Sequence, residues 1–227
     1  MDRLFEPIDI YCERLGPGLW AEPVNAATNL AFLIAAWVVA GRLGPDAPPL
    51  ARALCLILAA IGLGSGLWHI FANPLTAMID VAAIAAFVFT YVFAVNRHVL
   101  GWPPLGAWFG LLALVAWLGL GGMVFGALPG FAISAGYWPI ALLIALYGVV
   151  LLRSRPAFAR GLLIGAAILT VSLGFRSVDM ALCATFPLGT HFVWHILNAV
   201  MLGWMIEVYA SAGRRGPEPL AVPPERR

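Results

Sequence analysis

Two histidines near the C-terminal end of the chain have the spacing of a metal site. His191 and His195 lie four residues apart in an apolar stretch, so a helix presents both imidazoles on one face. One helix supplies two ligands to Zn²⁺ in this way, and a catalytic zinc site adds a third protein ligand and a position open to water. His69, near the end of another apolar stretch, is the candidate third ligand. The alternative is that each histidine forms only a hydrogen bond between helices.

Two further polar residues are candidates for the same site. Ser65 lies one helical turn before His69, and Asp80 follows the short Asn73-Pro74 turn that brings the chain back toward His69. A carboxylate can accept a proton from water at a zinc ion, and a hydroxyl can stabilise a developing oxyanion. The structural alternatives are that Ser65, between two glycines, permits close helix packing and that Asp80 caps the start of a helix.

The elements that must position these residues are membrane-spanning helices. Of the 227 residues, 62% are hydrophobic and 11% are charged, whereas a soluble domain carries about 25% charged residues. This composition excludes a water-soluble globule. Seven stretches are long and apolar enough to cross a bilayer as helices, namely residues 24–42, 50–72, 75–95, 104–125, 134–152, 158–176 and 189–210. We therefore predict an all-α membrane protein, a seven-transmembrane helix bundle over residues 24–210, with an N-terminal segment (residues 1–23) and a disordered tail (residues 211–227).

The arginines predict how this bundle is oriented. With seven spans, Arg3, Arg14 and Arg176 lie on one side of the membrane and the other ten arginines lie on the opposite side. Because cytoplasmic loops are rich in basic residues, we expect the N-terminus outside and the C-terminus and tail in the cytoplasm. Span two then runs outward and span seven runs inward, so the three histidines meet near the extracytoplasmic face. Scattered arginines and a net charge of only +2 argue against a nucleic-acid partner.

The order of these residues resembles the alkaline ceramidase family, a branch of a superfamily of seven-span membrane hydrolases. That superfamily also includes adiponectin-receptor and hemolysin III relatives, and its shared residues match Ser65, His69, Asp80, His191 and His195 here. The segments that look like the ceramidase branch are Asp9-Ile10-Tyr11-Cys12-Glu13, Glu22-Pro23-Val24-Asn25 and Arg176-Ser177-Val178-Asp179.

The resemblance implies a zinc amidase of the membrane. It would hydrolyse the amide bond of ceramide-like N-acyl sphingoid lipids to a fatty acid and a sphingoid base, with no obligate protein partner. His69, His191 and His195 would hold Zn²⁺, Ser65 would assist at the metal, and Asp80 would orient and deprotonate the water. Two alternatives stay open: a zinc hydrolase of the same superfamily that acts on another lipid, and a proton-coupled transporter. Few charges in the bundle core and the lack of a recognisable inverted repeat argue against transport.

Members of the family also hold a calcium ion in the N-terminal segment. On this chain the resemblance implies Asp9, Glu13, Glu22 and Asn25 as its ligands, and oxygen atoms are the ligands that Ca²⁺ takes. The pattern departs from that of the family, because Asp9 is three residues before Cys12 rather than two and the stretch to Glu22 is shorter. The alternative is a solvated juxtamembrane segment in which Asn25 caps span one.

Two cysteines fall on the outer side of the predicted bundle. Cys12 lies in the N-terminal segment and Cys183 follows span six, and cysteines in an extracytoplasmic compartment can oxidise. We therefore predict a Cys12–Cys183 disulfide that joins the N-terminal segment to the connection between spans six and seven. Arg176 and Asp179, three residues apart at the outer end of span six, are expected to form a structural ion pair.

Overall fold

A computed structural model describes residues 2–213, and this part of the chain is helical with no strand. The α-helices are α1 (Pro23–Thr28), α2 (Leu30–Arg42), α3 (Ala51–Phe71), α4 (Pro74–Ala94), α5 (Pro104–Ala127), α6 (Trp138–Leu151), α7 (Pro156–Leu182) and α8 (His191–Gly213). Short 3₁₀-helices cover Asp2–Phe5 and Ala132–Ser134, and a π-helical turn at Val95–Val99 extends α4. The prediction of an all-α fold is confirmed. Most of the predicted tail, residues 214–227, lies outside the described residues.

Six helical stretches of the described chain are long and apolar enough to cross a bilayer. The first combines α1 and α2, the third includes the π-helical turn, and the others are α3, α5, α7 and α8. The protein is therefore a multi-pass membrane protein. Helix α6 is apolar but has only 14 residues, which gives it a length of about 21 Å against a hydrocarbon core of about 30 Å. The seven-span count and the orientation of the termini stay predictions.

Proline and asparagine set most of the helix starts. Pro23, Pro74, Pro104 and Pro156 each stand at the first position of a helix, where the missing N–H of proline costs no hydrogen bond. Asn73 caps α4, because its side chain accepts from the backbone N–H of Thr76 at 3.0 Å and the Thr76 hydroxyl accepts in return from the backbone of Asn73. These local signals explain why the predicted and observed starts of the third and fourth spans differ by at most one residue.

The first membrane-spanning stretch is interrupted at Asn29, between α1 and α2. The Asn29 side-chain amide donates to the carbonyl of Asn25 at 2.8 Å, and the Thr28 hydroxyl donates to the carbonyl of Val24 at 2.8 Å. Side chains that bond to carbonyls in this way compete with the regular helical hydrogen bonds. The interruption lies at the depth of the histidines, and Thr28 contacts one of them.

Small residues allow α7 and α8 to approach each other closely. A Cβ atom added at Gly161 would lie 2.7 Å from a methyl carbon of Val208 on α8, a distance at which side chains clash. Close approach of helices through glycine is common in membranes. In contrast, α5 buries only Ala107 and Leu114 and presents most of its surface outward. The main buried core is formed chiefly by α2, α3, α4, α7 and α8.

Candidate metal centre

The three histidines singled out by their spacing meet in one place. His69 is in the last turn of α3, and His191 and His195 occupy the first two turns of α8. Each residue is at most 2% exposed, and the ring centroids lie 4.6 to 5.2 Å apart. One ligand atom from each side chain lies within 4.8 Å of the others. The predicted convergence of these residues is confirmed.

Hydrogen bonds at Nδ1 fix the tautomers of the His69 and His195 rings. His69 Nδ1 lies 2.6 Å from Glu22 Oε2, and a carboxylate can only accept. His195 Nδ1 lies 3.0 Å from the Thr28 hydroxyl, which has already donated its proton to the Val24 carbonyl. Both Nδ1 atoms therefore carry the hydrogen, and both Nε2 atoms carry a lone pair. Histidines that bind metals are oriented in the same way by partners of the other nitrogen.

The remaining nitrogens have no partner within the protein. His69 Nε2, His195 Nε2 and His191 Nδ1 are buried and make no hydrogen bond, although buried polar atoms nearly always make one. Three buried imidazoles with orphaned nitrogens, whose ligand atoms can lie within 4.8 Å of one another, fit a metal ion that takes nitrogen ligands. The arrangement is compatible with zinc and does not by itself identify the metal.

Glu22 supports this centre, a role that the sequence did not reveal. Its side chain is 1% exposed, with Oε2 at His69 and Oε1 at 2.5 Å from Arg14 Nε. Burial raises the pKa of the Glu22 carboxyl, and the hydrogen bond and charge of Arg14 oppose that rise. The only signal in the sequence is an acid directly before the first span, which the resemblance implies as a calcium ligand.

Ser65 and Asp80 lie in the same cavity as the histidines. Ser65 is one turn deeper than His69 on α3 and forms a hydrogen bond with the Asp80 carboxyl. Oδ1 of the Asp80 carboxyl is buried without a partner. Asp80 does not cap α4, because the helix begins six residues earlier and Asn73 caps it. The structure thus places an unpartnered carboxylate oxygen in the cavity that holds the orphaned imidazoles.

The cavity is polar at the end where the three histidines lie and apolar below. Its apolar lining includes Ile61, Val88, Leu169 and Met201, from α3, α4, α7 and α8. Val88 is eight residues beyond Asp80 on α4, a distance of about 12 Å along the helix axis. Space for water-sized groups amounts to about 60 Å³. An elongated apolar group can enter the deeper part of the cavity only if the side chains that line it move apart.

The prediction of an ion pair between Arg176 and Asp179 is wrong. Arg176 Nη1 donates instead to the carbonyl of Ile133 at 2.5 Å and to the Ser134 hydroxyl at 3.0 Å, and the guanidinium lies 5.1 Å from the centre of the Tyr137 ring. The ion pairs found among residues 2–213 do not include Arg176. Arg176 is 9% exposed and lines the cavity, so it brings a positive charge to the site.

Asp179 caps the helix that carries two of the histidines. Its Oδ1 accepts from the backbone N–H groups of Thr190 and His191 at 2.6 and 2.9 Å, and its Oδ2 accepts from the N–H of Cys12 at 2.9 Å. A carboxylate at the first turn of a helix satisfies free N–H groups and matches the helix dipole. Gly189 has φ +70°, and a Cβ atom there would collide with the carboxylate. Asp179 therefore fixes the position of His191 from the neighbouring helix.

The N-terminal segment covers the centre at the end of the bundle where the three histidines lie. The Cys12–Cys183 disulfide is present and joins this segment to the end of α7, as predicted. Tyr11 stacks on His191 with 3.8 Å between ring centroids, and the N–H of Ile8 donates to the carbonyl of Ala72 at 2.7 Å. The segment is therefore part of the site and not a solvated extension of the first helix.

The four residues implied as calcium ligands have other roles in the structure. Asp9 is exposed, while the carboxylate oxygens of Glu13 accept from the backbone N–H groups of Val24 and Asn25 at 2.7 and 2.8 Å. Glu22 is shared between Arg14 and His69, and the Asn25 amide donates to it at 3.2 Å. Asn25 lies within α1, so it does not cap the first span. Among the buried oxygens of these residues, Asn25 Oδ1 has no hydrogen-bond partner, whereas the carboxylate oxygens of Glu13 and Glu22 already accept from donors of the protein.

Comparison with known proteins does not assign the chain to a family. No protein-family model matches the chain, and a search of the curated proteins finds no match either. The fold and the site themselves define the class: a multi-pass α-helical membrane protein with a buried three-histidine centre that could bind a metal ion.

Proposed function

We propose that the protein is a zinc-dependent membrane amidase that hydrolyses ceramide-like N-acyl sphingoid lipids to a fatty acid and a sphingoid base. The observation that carries this proposal is the cavity in which three orphaned imidazole nitrogens share the space with an unpartnered oxygen of Asp80. Three histidine ligands and a nearby carboxylate are the parts of a catalytic zinc site for hydrolysis. The resemblance to alkaline ceramidases favours the same reaction.

The side chains divide the chemistry between them. His69, His191 and His195 would hold zinc, which supplies a Lewis acid and lowers the pKa of a water molecule. Asp80 accepts a proton from the attacking water through its free Oδ1 and returns it to the amide nitrogen as the carbon–nitrogen bond breaks. Ser65 holds the Asp80 carboxylate in one orientation through its hydrogen bond. One amide and one water thus give one carboxylic acid and one amine.

Two features of the cavity support a lipid substrate. Its apolar wall continues from the polar end along α3, α4, α7 and α8, which suits an amide whose hydrocarbon chains stay within the bilayer. Arg176 brings a guanidinium to the polar end without a carboxylate partner, and such a group stabilises negative charge on a carbonyl oxygen or a fatty-acid carboxylate.

Metal content tests the ligand assignment. Purified protein should contain about one zinc per chain, and the double variant His191→Ala, His195→Ala should lose it. His98→Ala is the matched control, because His98 lies in the π-helical turn after α4 and is not among the cavity-lining residues. Zinc retained in the double variant would overturn the site.

A substrate panel tests the reaction. The wild-type protein should release fatty acid from ceramides, while Asp80→Asn should bind zinc but lose at least about 100-fold in rate, the low end for a general acid–base group. Bound zinc with no hydrolysis of any N-acyl sphingoid lipid would contradict the substrate assignment and favour a zinc hydrolase of another lipid.

A further inference from the structure

The N-terminal segment carries a buried cation of its own beside the metal centre. Arg14 is 5% exposed, and its Nε lies 2.5 Å from Glu22 Oε1. Its Nη1 donates to the carbonyls of Gly16 and Gly18 at 3.2 and 3.4 Å, and its Nη2 donates to the carbonyl of His69 at 3.0 Å. One carboxylate oxygen and three carbonyl oxygens therefore surround the guanidinium.

These contacts conflict with the calcium ion that the family resemblance implies. Carboxylate and carbonyl oxygens are the ligands that calcium takes, and here the guanidinium holds one carboxylate oxygen and three carbonyl oxygens. Asn25 Oδ1 is buried without a donor, but one such oxygen falls short of the roughly six to eight ligands that calcium takes. Glu22, one of the implied ligands, has Oε1 at Arg14 and Oε2 at His69. Both oxygens of Glu13 accept from backbone N–H groups, and Asp9 is exposed. A divalent cation added to this group would also be repelled by the positive charge of Arg14.

We propose that Arg14 is the permanent cation of this segment, takes the place of a calcium ion, and holds the Glu22 carboxylate against His69. The protein then needs no calcium, and Arg14 is a positioning residue for the metal centre. The inference rests on the metal site proposed above, because His69 is the group that Arg14 positions through Glu22.

The geometry explains why an arginine suits this position. Its planar guanidinium has five N–H donors in a fixed fork, so it can bind Glu22 through Nε while it binds carbonyls on both sides through Nη1 and Nη2. Glu22 is thereby held as a buried anion that accepts from His69 Nδ1, which leaves the Nε2 lone pair of His69 toward the cavity. Without the guanidinium, Glu22 would be a buried charge without a compensating cation, and such charges are strongly unfavourable.

The first arm of the test needs no variant. Wild-type protein purified in detergent is analysed for bound calcium, and its Tm is measured with and without about 1 mM CaCl₂, the upper range of Kd for extracellular calcium sites. We expect no stoichiometric calcium and an unchanged Tm. Bound calcium, or a Tm that rises with calcium but not with magnesium, would overturn the replacement of calcium by Arg14.

The second arm measures zinc affinity by competition with a chromophoric chelator. Arg14→Gln should weaken zinc binding by about 10- to 100-fold, the usual effect of losing a group that supports a metal ligand, and should shift the visible spectrum of the cobalt-substituted protein. Arg42→Gln is the matched control, because Arg42 forms a more exposed ion pair with Glu207, and it should leave both unchanged. Wild-type zinc affinity in Arg14→Gln would overturn the positioning role.

The two proposals can fail separately. Absence of zinc from the wild-type protein contradicts the proposed metal centre, while the calcium measurements still decide whether Arg14 replaces that cation. If Arg14→Gln does not fold, the wild-type calcium measurements keep the inference open to refutation.

Discussion

Each histidine of the centre is held by a different kind of partner. His69 donates to a carboxylate, His195 donates to a threonine hydroxyl, and the backbone N–H of His191 donates to Asp179. A buried imidazole that can rotate takes its final orientation only when the metal binds. An imidazole held by a second partner already has that orientation before the metal binds. Metal affinity should therefore depend on residues that never touch the metal.

Thr28 offers the simplest test of this dependence. Thr28→Val keeps the shape of the side chain but removes the acceptor for His195 Nδ1, so the zinc affinity should fall by about 10-fold or more. Thr28→Ser retains the hydroxyl and should bind zinc like the wild-type protein. Competition with a chelator measures both variants, and equal affinity in the valine and serine variants would contradict the role of this hydrogen bond.

At the scale of elements, the position of the centre depends on where α8 begins. His191 is the first residue of that helix, and the carboxylate that binds its N–H belongs to α7. The same carboxylate accepts from Cys12. One side chain thus connects α7, α8 and the N-terminal segment, so a change at Asp179 should act on stability and on metal binding together.

Asp179→Ala should destabilise the protein by about 3 kcal/mol, because it removes three hydrogen bonds to a buried carboxylate and leaves the donors without acceptors. Asp179→Asn is the control, since its amide oxygen can still accept from Thr190 and His191. Unfolding in a denaturing detergent measures the difference between the variants. An alanine variant as stable as the asparagine variant would show that the cap does not hold α8.

The disulfide is the second connection between the same elements. It closes a loop of 171 residues, and disulfides typically stabilise by about 2–4 kcal/mol. Cys183→Ser should lower the Tm, whereas Cys55→Ser, at a buried free thiol, serves as a control without a disulfide change. A peptide map under non-reducing conditions checks the bond directly, and two free thiols at positions 12 and 183 would contradict it.

At the scale of the whole molecule, hydropathy and histidine spacing predicted what depends on helices alone. Once the spans are placed, three histidines at the ends of antiparallel helices lie at the same depth, and in the structure they meet. The roles of Arg14, Glu22 and Asp179 were not predictable in this way. Their partners are largely in the N-terminal segment or on backbone N–H and C=O groups of loops, and neither periodicity nor composition encodes the path of such segments.

Helix α6 is shorter than the six candidate spans of the described chain, and two long-range contacts bear on whether it crosses the membrane. His69 and His191 meet although α4, α5, α6 and α7 separate them along the chain. Residues on one side of a membrane must be separated by an even number of crossings, so if the other three helices cross, α6 must cross as well. The Cys12–Cys183 disulfide also requires its two cysteines to lie on the same side of the membrane. The number of crossings between them is even, namely six, only if α6 crosses.

Labelling of single cysteines with an impermeant maleimide tests this topology. Leu19→Cys and Ser154→Cys, both at exposed positions, are made in a Cys55→Ser background that keeps the disulfide. We expect Leu19→Cys to react in intact cells and Ser154→Cys to react only after permeabilisation, because Arg153 and Arg155 flank Ser154 and basic loops stay in the cytoplasm. If both positions react in intact cells, α6 does not cross, and His69 and His191 could not share one side of the bilayer. The same experiment therefore tests the span count, the orientation and the position of the metal centre near the extracytoplasmic face.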